Sequence, residues 1–121
     1  MKILVTDDSK AMRMIVIRTL RQAGYSGHDI LEAEDGAVAL KMIQSEGIDL
    51  VLSDWNMPNM TGIELLRALR GSGNDIPFCF VTSEGSEEMR TTATASGALG
   101  LIAKPFTAEE FGEMLGSVVS A

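Results

Sequence analysis

The 121-residue chain predicts an α/β fold, a doubly wound five-stranded parallel sheet. Short apolar runs alternate with amphipathic helical patterns five times along the sequence. The apolar runs are nearly continuous rather than alternating, as strands buried on both faces are. Right-handed crossovers then leave a sheet with helices on both sides. An apolar fraction of 45% and a charged fraction of 22% suit one globular domain with a substantial core.

The elements follow in order. A first strand spans Lys2 to Thr6, and a helix from about Ala11 to Ala23 places Met12, Ile15, Val16 and Leu20 at helical spacing until Gly24 ends it. The second strand is Asp29 to Ala33. The second helix runs from Gly36 to Glu46, with Ala39, Leu40 and Ile43 inward, and Gly47 stops it. The third strand is Leu50 to Ser53. The third helix starts near Gly62 with Ile63, Leu65, Leu66 and Leu69 on its apolar side. Gly71-Ser72-Gly73-Asn74-Asp75 reads as a loop. The fourth strand is Ile76 to Val81, with Pro77 tolerated near its start. The fourth helix, Ser86 to Ser96, is weakened by Thr91, Thr92 and Thr94. The fifth strand is Leu99 to Ala103. The fifth helix begins after Thr107, an N-cap with Glu110 at the capping-box spacing.

Four strand ends carry chemistry. Ile3-Leu4-Val5 leads to Asp7-Asp8, Leu50-Val51-Leu52 to Asp54, Phe78-Cys79-Phe80-Val81 to Thr82-Ser83, and Leu101-Ile102-Ala103 to Lys104-Pro105. In an open parallel sheet these carboxyl ends share one edge, where ligands bind. The predicted pocket joins three carboxylates, a hydroxyl and a lysine. Adjacent negative charges such as Asp7 and Asp8 call for screening by water or a cation, and Asp54 would complete a Mg²⁺ site. Asp54 is the candidate nucleophile, since a carboxylate can form an aspartyl phosphate. Lys104 would supply a phosphate-facing point charge, and the turn at Pro105, which can be cis, would aim it inward. Thr82 offers a hydroxyl to a phosphoryl oxygen.

In this order these motifs resemble the receiver domain of response regulators over essentially the whole chain. Leu4-Val5-Thr6-Asp7-Asp8, Asp54-Trp55-Asn56-Met57-Pro58-Asn59-Met60-Thr61-Gly62, Val81-Thr82-Ser83-Glu84 and Lys104-Pro105-Phe106-Thr107 carry the likeness. The Asp54 to Gly62 block looks closest to single-domain chemotaxis receivers of the CheY type. The resemblance implies a flavodoxin-like (βα)5 sheet in the order 2-1-3-4-5, and one receiver domain over residues 1–121 with no output domain. It implies a stand-alone response regulator of a two-component phosphorelay rather than an enzyme. Its only chemistry would be Mg²⁺-dependent self-phosphorylation from a donor and autodephosphorylation. Asp54 would accept the phosphoryl group from a histidine kinase, CheA-like in a chemotaxis setting. Asp8, Asp54 and the backbone carbonyl of Asn56 would bind Mg²⁺, with Asp7 acting through a coordinated water. Lys104 would pair with the phosphoryl group, and Thr82 would move to hydrogen-bond it. Asn56 and Glu84 match positions that modulate autodephosphorylation. The first helix would dock the kinase; the face of the fourth helix, fifth strand and fifth helix would meet an unidentified target protein or phosphatase. The expected state is a monomer, with phosphorylation-dependent dimerisation left open.

The chain departs from the family pattern at Leu101, where a Tyr, Phe or His switch residue is usual. Leucine can pack inward but has no hydroxyl and less area. Ser86-Glu87-Glu88 is acidic where enteric chemotaxis receivers carry lysines, and would repel an acidic partner peptide. A phosphate sink without a target is therefore an alternative output. A haloacid-dehalogenase-type phosphohydrolase is another; its usual second aspartate is here Asn56. No Gly-rich loop follows the first strand, which disfavours a nucleotide-binding module.

The net charge of −7 disfavours nucleic acid and anionic membrane. No apolar run reaches the roughly 20 residues of a membrane span, and no signal-peptide pattern precedes the first strand, so a cytoplasmic protein is expected. Cys79, the single cysteine, excludes an internal disulfide and is expected to be buried in its strand. His28, far in sequence from the pocket, is not expected to act in it. Met12 is expected in the core, and Met14 and Ile17 as exposed apolar contacts for a kinase. Trp55 is expected at the pocket rim.

Overall fold

The computed structural model describes residues 1–118. Strands β1 (Lys2–Thr6), β2 (Asp29–Ala33), β3 (Leu50–Ser53), β4 (Phe78–Thr82) and β5 (Gly100–Ala103) form one parallel sheet in the order β2-β1-β3-β4-β5. Helices α1 (Lys10–Leu20), α2 (Gly36–Glu46), α3 (Gly62–Gly71), α4 (Glu87–Ala95) and α5 (Ala108–Leu115) cover its two faces. Side chains alternate along each strand, so each face has its own core. Leu4, Val51, Phe78, Phe80 and Leu101 pack with Ala39, Ile43, Leu65, Leu66 and Ala93 of α2, α3 and α4. Ile3, Val5, Leu52, Cys79, Val81 and Ile102 pack with Val16, Leu20, Phe111 and Leu115 of α1 and α5.

Each helix starts on a side chain that satisfies a free N–H. The caps are Ser9, Asp35, Thr61, Ser86 and Thr107. The expected capping box at Thr107 and Glu110 is present, and Thr61 with Glu64 forms a second one. These caps set where each connection turns away from the strand end.

Several local expectations need correction. Helix α1 ends at Leu20, and a π-helical turn, Arg21–Tyr25, continues it, with Gly24 at φ 98° marking the break. Strand β4 starts at Phe78, because the Pro77 carbonyl accepts from Val51 N–H while proline has no N–H of its own to give. The fifth strand starts at Gly100, one residue later than expected. On α1 the apolar roles of two isoleucines are exchanged. Ile15 is 37% exposed, whereas Ile17 packs against the α1/α5 core. Met14 is 58% exposed as expected, and Met12 is half-buried at the rim rather than in the core.

Candidate functional site

Main-chain bonds hold the strand ends in register at the carboxyl edge of the sheet. Asp54 N–H donates to Thr6 O at 2.9 Å, Asp7 N–H to Ala33 O at 3.1 Å, and Lys104 N–H to Thr82 O at 2.8 Å. Each residue of interest is thus tied to the neighbouring strand within one step of where its own strand ends. The rigid sheet, rather than a flexible loop, sets their separations.

The predicted residues do converge. Asp7, Asp8 and Asp54 each offer a carboxylate oxygen, and these oxygens lie within 4.8 Å of one another. Lys104 Nζ stands 3.3 Å from Asp7 Oδ2 and 3.9 Å from Asp54 Oδ2. The Lys104–Pro105 peptide is cis. Thr82 is fully buried at the end of β4, and its hydroxyl oxygen accepts a long 3.4 Å bond from Glu84 N–H. Burial pushes the Asp54 carboxyl above its ordinary pKa and the Asp7 charge adds to this; Lys104, the Trp55 N–H and Thr82 pull it back. The Trp55 bond is 2.8 Å to Asp54 Oδ1, leaving Oδ2 toward Lys104.

Asp7 is buried, while Asp8 is exposed. Asp7 Oδ1 accepts from Ser9 N–H at 2.9 Å, and its Oδ2 faces Lys104, so both oxygens are already engaged. Asp8 has the freer access to solvent. Asn56 and Glu84 are exposed at the rim, and Trp55 packs on Phe80 with ring centroids 4.6 Å apart. His28 precedes β2 at the opposite edge of the sheet, away from the site. Three oxygen donors of this kind suit a hard divalent cation.

Gly62 fixes the distance from Asp54 to α3. A Cβ there would overlap the Asp54 carbonyl oxygen and come within 2.9 Å of the Phe80 ring. The family model for the response regulator receiver domain matches residues 3–116. The chain belongs to the response regulator receiver family. Among relatives of this receiver, chemotaxis protein CheY of Pseudomonas aeruginosa is 41% identical over 117 residues, covering 95% of this chain and 93% of that protein. Chemotaxis protein CheY-3 of Vibrio cholerae is 40% identical over 120 residues, covering 98% and 91%. The solved structure of chemotaxis response regulator CheY4 of Vibrio cholerae superimposes with a TM-score of 0.82 at 37% identity, covering 98% of each chain. The family settles the class in favour of a signalling receiver over a phosphohydrolase. A receiver works between a kinase and downstream targets. Among the described residues, no helix is long and apolar enough to cross a membrane.

Sequence reasoning missed three supporting side chains. Arg13 donates to the Asp7 carbonyl at 2.6 Å and pairs with Glu32 at 2.8 Å, bracing the β1 end against β2. Arg90 on α4 donates to the Leu101 carbonyl at 2.8 Å, tying α4 to β5. Asp35 joins the start of α2 to Asn59. The arginines sit singly on helical surfaces, where spacing gives no sign of a carbonyl partner. Asp35 stands just before α2, and nothing in the spacing links it to Asn59.

Proposed function

We propose that this receiver takes a phosphoryl group on Asp54 from a phosphohistidine of a CheA-like histidine kinase, and signals in chemotaxis by altered binding of a target protein. The observation that carries the reading is the placement of Asp54, with one carboxylate oxygen facing the Lys104 ammonium and Thr82 on the adjacent strand end. The oxygen of the ionised carboxylate attacks phosphorus as the phosphorus–nitrogen bond breaks, and the departing imidazole keeps that electron pair and takes up a proton. Such transfer depends on position and charge neutralisation. Lys104 supplies a fixed cation for the phosphoryl oxygens, and the Thr82 hydroxyl, at the end of the strand next to β3, is a further donor. Asp8, Asp54 and the Asn56 backbone carbonyl would hold Mg²⁺, with Asp7 acting through a coordinated water. The bound ion would supply further neutralisation of the phosphoryl oxygens. Water attack on the acyl phosphate would reverse the modification, with Asn56 and Glu84 at the rim controlling its approach.

The share of the curated relatives covered supports a single receiver domain as the working unit. We place it in the cytoplasm, as a monomer at rest. The output face would be that of α4, β5 and α5. One observation favours the phosphate-sink reading of that output. Leu101 is already 2% exposed, so the inward swing that an exposed aromatic makes has no counterpart there.

The test is Trp55 fluorescence during titration with Mg²⁺ and then beryllofluoride, an aspartyl-phosphate mimic. A Mg²⁺-dependent response that disappears in Asp54→Asn supports the reading. The same response in Asp54→Asn contradicts it.

A further inference from the structure

The cap of α2 reaches beyond its own helix. Asp35 Oδ1 accepts from Val38 N–H at 2.9 Å, the ordinary N-cap bond. Asp35 Oδ2 accepts from Asn59 Nδ2, also at 2.9 Å, and Asn59 lies in the loop between β3 and α3. The next residue repeats the tie, since Gly36 N–H donates to Met60 O at 3.2 Å. A Cβ on Gly36 would stand 2.5 Å from that oxygen, so glycine permits the contact. Asn59 has φ 66°, a conformation asparagine tolerates better than most residues. Asp35 as a residue is 6% exposed. The Val38 and Asn59 bonds hold its pKa below the ordinary value.

The loop so fastened is the one that carries Asn56. At its inner end Gly62 N–H donates to Trp55 O at 2.8 Å, and Trp55 N–H is held by Asp54. Its outer limb folds back through a 2.7 Å bond from Met60 N–H to Pro58 O, and Asn59 and Met60 are the residues tied to α2. Asn56 lies between the Trp55 anchor and the Asn59 anchor. Its carbonyl is therefore placed by both, and only the first belongs to the site itself.

We propose that Asp35 is a positioning residue for the cation site: through Asn59 it fixes the loop that presents the Asn56 carbonyl, and so sets the affinity for a divalent cation beside Asp54. The inference rests on the cation-binding role assigned to Asn56 and Asp54 above. Asp35 touches no ligand atom and acts only through the loop. Groups that orient metal ligands in this indirect way are typically worth about 10- to 100-fold in affinity.

Three variants separate this role from simple helix capping. Asp35→Ser keeps a capping oxygen for Val38 and has no second oxygen to accept from Asn59. Asn59→Gly removes the donor and suits the positive φ. The double variant Asp35→Asn, Asn59→Asp reverses the polarity of the bond and keeps the total charge. Mg²⁺ binding is followed by calorimetric titration, with thermal stability measured alongside. Each single variant is expected to bind Mg²⁺ about 10-fold more weakly, and the double variant to return to within about 3-fold of wild type. Single variants that melt earlier but bind Mg²⁺ like wild type would overturn the inference and leave the proposed function standing. A double variant as weak as the singles would overturn it as well. Wild-type protein that takes up no Mg²⁺ would remove the proposed function and this inference together.

Discussion

Replacing Lys104 by methionine keeps a long apolar stem and removes the one cation between Asp7 and Asp54. At an effective dielectric constant of about 20, unit charges at the observed 3.3 Å and 3.9 Å attract by about 5 and about 4 kcal/mol. Most of that gross attraction is offset by the desolvation of the ammonium and of the two carboxylates, so a net loss of about 2 kcal/mol is expected in chelator at pH 7. For a domain of this size that lowers the melting temperature by about 8 °C. The loss has a signature that plain loss of packing lacks. It arises from carboxylates left uncompensated, so it shrinks when Asp54, whose carboxyl burial already pushes upward, takes up a proton and when a divalent cation replaces the lost charge. Thermal melts of wild type and Lys104→Met at pH 7 and pH 5, with chelator and with Mg²⁺, test this directly. The difference between the two proteins should be largest at pH 7 in chelator and smaller in each other condition. An equal difference in all conditions, or none at pH 7 in chelator, would refute the electrostatic account of the pocket.

Three further outcomes follow from the same structure. Burial holds the Asp54 carboxyl above its ordinary pKa of 3.8, so its ionisation weakens the fold as pH rises from that value through the folded one. Asp54→Asn should then be more stable than wild type at pH 7 in chelator, with the gain vanishing below pH 3.8; chemical denaturation at both pH values reads it, and a less stable variant at pH 7 contradicts it. Gly62→Ala forces a Cβ onto the Asp54 carbonyl, so a loss of about 2 kcal/mol is expected in urea denaturation, and a change under about 0.5 kcal/mol would mean the loop yields freely. Cys79 is fully buried and its thiol is pushed up to about 12, so a thiol reagent should label the unfolded chain and leave the native one unmodified at pH 8. Rapid labelling of the native protein would contradict the packing of β4.

Much of this site was legible because strand ends are easy to see. A run such as Leu50-Val51-Leu52 must be buried, and in a parallel sheet the next polar residue must emerge at one common edge. Asp7, Asp8, Asp54, Thr82 and Lys104 follow from that rule, and the structure brings them together. The capping box at Thr107 was legible from spacing; the one at Thr61 has the same spacing and lay inside the acceptor-loop motif. Helix faces were less secure. Ile15 and Ile17 differ by only two positions on α1, and which one faces the core depends on how α1 rolls against α5. The Asp35–Asn59 bond spans 24 residues between two loops and leaves no periodic trace. Arg13 and Arg90 act by donating to main-chain carbonyls, which every residue has, so no sequence pattern identifies the acceptor.

The most direct test of the central claim is to locate the phosphoryl group. Protein treated with acetyl phosphate and Mg²⁺ is reduced with borohydride, which converts an aspartyl phosphate to homoserine, and the modified peptide is sequenced by mass spectrometry. The account predicts homoserine at position 54 only, dependent on Mg²⁺ and absent from Asp54→Asn. Modification at Asp7 or Asp8 in place of Asp54, or an unmodified chain, would contradict it.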